Sequence, residues 1–134
     1  MDKAMSGLVG MKFVDQGRDA AVGLDCWGLV IEAYRREGMW VPDFRVGAFA
    51  FAAIGAITDA ECGSPRWIEV EEPVDADAPL VVLMRMHKKY ITHAGVYIGK
   101  GQILHTTGAT NAVMARIDSL KPVIVGYYRY DSGN

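Results

Sequence analysis

A cysteine stands directly behind an aspartate in GLDCWGLVIEAYRREG, residues 23–38, at the point where a helical pattern begins. Asp25 has the character of an N-cap, whose carboxylate accepts from the free amides of the first turn. Cys26, Leu29, Val30, Ala33 and Tyr34 recur at the spacing of one helix face, Glu32, Arg35, Arg36 and Glu37 fall on the other, and Gly38 supplies a left-handed stop. A thiol in that first turn meets unpaired amides and the positive end of the macrodipole, which lower its pKa toward the nucleophilic thiolate. Two histidines could serve as its base. His93 opens the apolar run HAGVYIG and His105 closes the run GQILH. A tight hairpin at Lys100-Gly101 would put them on neighbouring antiparallel strands, on one face without being directly opposite. Nucleophile, base and orienter are the parts of a cysteine-peptidase site.

Other readings of the same residues stay open. A buried cysteine is usually a small hydrophobe, and a histidine at a strand end is usually a hydrogen-bonded structural residue. Zinc is the remaining chemistry of cysteine with histidine, but no CxxC, HExxH or HxxxH spacing occurs. Neither a metal nor another cofactor is expected. Cys62, between Glu61 and Gly63, has no helix start behind it and no histidine nearby, and reads as a bystander. His87 beside Lys88 and Lys89 reads as a solvated loop residue. Both thiols are expected to be reduced.

The elements that must position these groups divide the chain in two. Helical patterns dominate the first half: residues 26–37, a less regular helix within Asp43–Asp59 weakened by Gly47 and Gly55, and a short one near Lys3–Val9. Pro42 keeps the first of these from resuming. From Pro65 onward the runs are short and β-rich: Trp67–Val70, Leu80–Met86, Thr92–Ile98, Gln102–Thr106 and Val123–Tyr130, with the acidic loop EEPVDADAP at residues 71–79. Helices followed by antiparallel strands describe an α+β domain, and 134 residues suffice for a single one, residues 1–134.

Composition removes whole classes of partner. A formal net charge of −2 without a lysine-arginine run argues against nucleic acid or an anionic membrane surface. The longest apolar run, Val46–Ile57, is too short to span a bilayer and reads as a buried helix or part of an interface. MDKAMSGLVGMKFVDQ carries no signal-peptide pattern, so synthesis in the cytoplasm without Sec export is expected.

The order DCWGLV, HAGVYIG, ILH resembles the NlpC/P60 family of papain-like cysteine peptidases, and GMKFVDQGRDAAVGLDCWGLV and MWVPDF are similar to its phage-tail branch in particular. The resemblance implies N-terminal helices packed on a central antiparallel β-sheet, with no cofactor. It implies Cys26 as nucleophile, His93 as base and later acid, and His105 as the residue orienting His93. Asp25 would touch the amino end of a bound peptide, or act as an N-cap alone. Gly28 would keep the first turn open to substrate, and Trp27 would form a groove wall or a core aromatic.

The implied reaction is hydrolysis of peptidoglycan stem peptides, typically between the γ-carboxyl of D-glutamate and a diamino acid. Other tail proteins would be partners, and the virion tail acting at the cell wall would be its location. Two departures stand out: Phe13 replaces a tyrosine of many relatives, and Asp77-Ala78-Pro79 replaces Pro-Gly-Asp. They leave two alternatives, a structural tail protein with a decayed site and a cysteine amidase or acyltransferase on the same scaffold.

Overall fold

The computed structural model describes residues 5–44, 51–71, 79–87, 89, 91–107 and 110–131. Most of the acidic loop at 71–79, the first five residues of the apolar run at 46–57, Lys88 and the start of the helix expected at Lys3–Val9 lie outside them. Leu8 donates to the Met5 carbonyl in a short N-terminal turn, and both side chains are buried.

A two-stranded ribbon comes first, β1 (Arg18–Asp19) against β2 (Gly23–Leu24), and leads straight into α1 (Cys26–Arg36). Asp25 caps α1 as expected, its Oδ1 accepting from the Gly28 amide at 2.8 Å. Gly38 ends it with φ +70°. The inward stripe is Leu29, Val30, Ala33 and Tyr34, with the Tyr34 hydroxyl donating to the Pro79 carbonyl. Glu32 corrects the expected outer face. It is buried beneath its own helix's arginines, taking two hydrogen bonds from Arg35 and one from Arg36, which hold its carboxyl below the usual range.

Helix α2 (Phe51–Cys62) runs past the expected end at Asp59 and closes with the Gly63 amide donating to the Asp59 carbonyl. The remaining elements are β3 (Trp67–Val70), β4 (Leu80–Met84), β5 (His93–Tyr97), β6 (Gln102–Thr107), β7 (Thr110–Arg116), α3 (Ile117–Leu120) and β8 (Ile124–Tyr130). Six strands form one antiparallel sheet in the order β3-β8-β4-β5-β6-β7. The α+β expectation therefore holds.

Alternation along β4 builds two cores. Val81 and Leu83 join the cluster under α1, where Leu29, Val30, Ala33, Val96 and Leu104 meet, while Leu80, Val82 and Met84 pack with Tyr97 and Ile103 against Ile117 and Leu120 of α3. Burying one such side chain contributes about 1.5–3 kcal/mol, so both clusters anchor β4 and its neighbour β5. Helix α1 lies on β5 and β6, which brings its first residue to the start of β5.

Candidate active site

The β5–β6 hairpin sets the histidine pair. Its loop is Gly99-Lys100-Gly101, three residues with φ of +95°, +54° and +71°, one longer than the expected Lys100-Gly101 turn. The extra loop residue shifts the register by one from the expected pairing of Ile98 with Ile103, to Tyr97 opposite Ile103 and Val96 opposite Leu104. Continued by one step it sets Gly95 opposite His105, and leaves His93 diagonal to it on the same face. The rings meet edge to face, with His93 Nε2 3.0 Å from His105 Nδ1, and both residues are buried.

Gly95 makes that diagonal contact possible. A Cβ there would stand 3.0 Å from the Leu104 oxygen and the Met84 Cε, and 3.1 Å from the His105 Cβ. Gly95→Val is expected to cost about 1–3 kcal/mol by overpacking, and to lower activity further by pushing His105 off His93. Urea denaturation and kcat on the same sample check it. Unchanged kcat in a destabilised variant would separate the histidine contact from function.

Cys26 reaches the same place from the helix. The amides of Ala94 and Trp27 point hydrogen at its thiol, so Sγ lies against the residue next to His93, and Cys26 and His93 line one pocket. The expected activation of the thiol does not appear. Burial first, and then the Asp25 charge, push the Cys26 pKa up to about 11, outweighing the two amides. Burial, and then His105, pull His93 down to about 3, and burial lowers His105 as well. Thiol and imidazole therefore rest uncharged at neutral pH.

Those shifts set the stability profile. Below an ordinary histidine pKa of 6.5 the unfolded chain takes up protons that folded His93 refuses until about pH 3, so stability falls as pH drops through that window. Above 9.0 the unfolded thiol loses a proton that folded Cys26 keeps to about 11, so stability falls again in alkali. Each group acting alone gives a slope of about 1.4 kcal/mol per pH unit. Urea melts at acid, neutral and alkaline pH should show a maximum between 6.5 and 9.0; a flat profile would mean that these groups titrate normally.

Arg18 was not legible beforehand. Its Nη1 donates to Asp25 Oδ1 at 2.6 Å and to the Gly17 carbonyl at 2.8 Å, its Nε to Asp43 Oδ1 at 2.8 Å and its Nη2 to the Phe44 carbonyl at 2.9 Å. Only the demand of a buried capping carboxylate for a cation could have signalled it. Asp25 Oδ1 is thus committed to the helix start and Arg18, and burial still raises its pKa. Gly28 is packed under the Gly17 carbonyl, where a Cβ would collide with it and crowd Arg18 and Asp25. Its lack of a side chain serves this close approach, rather than an opening toward the pocket.

Trp27 lines the pocket, donates from Nε1 to the Pro42 carbonyl at 2.8 Å, and packs its ring on Phe44 and Trp67. Cys62 is no remote bystander, because it lines the same pocket and pairs with the Tyr128 hydroxyl. His87 stays in its loop, Nδ1 accepting from the Lys89 amide.

The sequence model of the NlpC/P60 family matches residues 10–127. Solved structures share the fold: an NlpC/P60 family protein from Bacillus cereus (TM-score 0.66, 18% identity), a lipoprotein-like NLP/P60 family protein from Staphylococcus aureus (0.63, 16%), and the NlpC/P60 domain of the peptidoglycan hydrolase SagA (0.62, 15%). Each alignment covers 96% of this chain; it covers 38% of the B. cereus protein, 39% of the S. aureus protein and 94% of the SagA domain. No curated protein sequence matches the chain significantly. Among the described residues no helix is long and apolar enough to cross a membrane.

Proposed function

Because the chain belongs to the NlpC/P60 family, we propose that it is a cysteine peptidase acting on peptidoglycan stem peptides, with Cys26 as nucleophile, His93 as base and His105 as positioning residue. The observation that carries this reading is the convergence of Cys26 and His93 on one pocket, with His105 Nδ1 3.0 Å behind His93 Nε2. The scissile bond proposed is that between the γ-carboxyl of D-glutamate and a diamino acid.

The geometry supports a neutral resting pair. For His93 to take the thiol proton on Nδ1, its Nε2 must carry hydrogen and donate to His105 Nδ1, so the His105 proton sits on Nε2. Cys26 Sγ attacks the carbonyl as its proton passes to His93. The C–N bond then breaks, the leaving amine takes the proton from His93, and a thioester remains on Cys26. Water gives a proton to His93 as its oxygen bonds to the thioester carbon, the C–S bond breaks, and His93 returns the proton to Cys26 Sγ. The Cys26 backbone amide at the helix start is the proposed oxyanion donor.

The phage-tail association is proposed from the upstream stretch and MWVPDF alone, with other tail proteins as partners and the cell wall as the place of action. A cysteine amidase or acyltransferase is the second reading, favoured by the apolar walls around Cys26. Mass analysis of purified peptidoglycan digested with the wild type and with Cys26→Ala tests both. New amino termini that depend on Cys26 support the peptidase, acyl transfer products support the second reading, and an inert wild type leaves a structural protein.

A further inference from the structure

The pocket that holds Cys26 has a volume of about 120 Å³, and its walls are apolar, with Trp27, Phe44, Ile54, Ile57, Trp67 and Leu83 among them. Its polar side chains are largely occupied by one another. Glu61 is held by Arg66 Nη2 at 2.5 and 2.7 Å and by Trp67 Nε1 at 3.0 Å. Thr58 Oγ1 donates to the Ile54 carbonyl at 2.9 Å. Cys62 and Tyr128 pair with each other, and the Tyr128 hydroxyl also donates to Glu69 Oε1 at 3.3 Å. No lysine or arginine is among the described residues that line it. A carboxylate seated here would lose water and find no lysine or arginine among the described wall residues, whereas a cavity of roughly 150 Å³ lined by aliphatic and aromatic side chains accepts a group the size of benzene.

We infer that this pocket is a specificity site for an uncharged alkyl or aryl group on the acyl half of the substrate, next to the carbonyl that Cys26 attacks. The inference rests on Cys26 as nucleophile and narrows which acyl donors reach it. A γ-glutamyl donor would place its side-chain methylenes against Leu83 and Ile57 and keep its α-carboxylate outside. Helix α2 brings Ile54 and Ile57 and β4 brings Leu83, so selectivity is set by elements separate from those carrying Cys26 and His93.

Acylation by p-nitrophenyl esters tests it on the intact chain. Sγ forms a bond to the ester carbon, the C–O bond breaks, p-nitrophenolate leaves, and the thiol proton passes through His93 to solvent. Acetate, butanoate and the singly charged glutarate ester are compared, with adducts located by peptide mass mapping. Each buried methylene is expected to raise the rate about fourfold, so butanoate should acylate Cys26 about 15 times faster than acetate. Glutarate, which can keep its carboxylate outside as a γ-glutamyl donor does, should stay within about threefold of butanoate. Ile57→Asp should bring the butanoate-to-acetate ratio near one, a ratio that any loss of folded protein leaves unaffected. Adducts on Cys26 at rates indifferent to chain length would overturn the inference alone. No adduct on Cys26 with any ester would overturn the nucleophile reading as well.

Discussion

Cys26→Ala is expected to reduce the release of new amino groups from purified peptidoglycan by about 10⁴-fold or more, and His93→Ala by a comparable factor. The two losses should be alike because the proposed nucleophile and base would act as one unit. Removing the thiol leaves nothing to form the acyl intermediate. Without His93, a thiol whose pKa stands near 11 has no acceptor for its proton beside it. At pH 7 such a thiol is about 10⁻⁴ ionised, so its unaided attack is negligible. The double variant should then be scarcely worse than either single one. Additive losses, or a His93→Ala protein keeping a tenth of the parent rate, would dissolve the pair. Raising pH toward 11 should restore part of the His93→Ala activity, since hydroxide then takes over the proton.

His105→Ala is expected to lower kcat by about 10²-fold and leave KM almost unchanged. The ceiling is roughly 10⁴-fold, the loss in a serine protease when the carboxylate that fixes the histidine becomes an amide. A neutral imidazole should contribute less than that carboxylate, because it orients the His93 ring but adds little attraction for the imidazolium formed during attack. His105→Asn keeps an acceptor at that position and should recover part of kcat. Acid should mimic the deletion, since a protonated His105 turns Nδ1 from acceptor to donor. Steady-state kinetics on a wall tetrapeptide across pH 4–8 provide the check; wild-type kcat in His105→Ala, or a defect confined to KM, would leave Cys26 and His93 as a dyad.

The residues that converge on the pocket were legible because their signals are local. An N-cap aspartate, one helix face and a glycine stop fix where Cys26 sits on α1, and two apolar runs joined by a glycine turn mark the β5–β6 hairpin that carries His93 and His105, although its register is one residue from the expected one. What escaped the sequence depends on distant neighbours. Strand β7 reads TNAVMAR, where asparagine and two alanines dilute the β signal, yet it pairs with β6 along most of its length. Arg18 gains meaning only when β1 folds back beside Asp25, and Cys62 only when α2 carries it to the pocket. The thiol pKa was misjudged for the same reason. The helix start is visible in the sequence, but the desolvation that overrides it comes from elements far along the chain.

Strand β8 lies between β3 and β4, although it is the final element in sequence. Its Tyr128 pairs across to both Glu69 and Val81, and it stands in the pocket wall beside Trp67 of β3. Until residues 124–130 have been synthesised, β3 and β4 have no strand to join them, and the sheet is two separate pieces. A ribosome partway through the message thus holds a chain that already contains Cys26, His93 and His105 but lacks Tyr128, which β8 adds to the pocket wall. A chain halted before β8 therefore carries the three proposed site residues on a sheet still in two pieces, without the strand that ties β3 to β4.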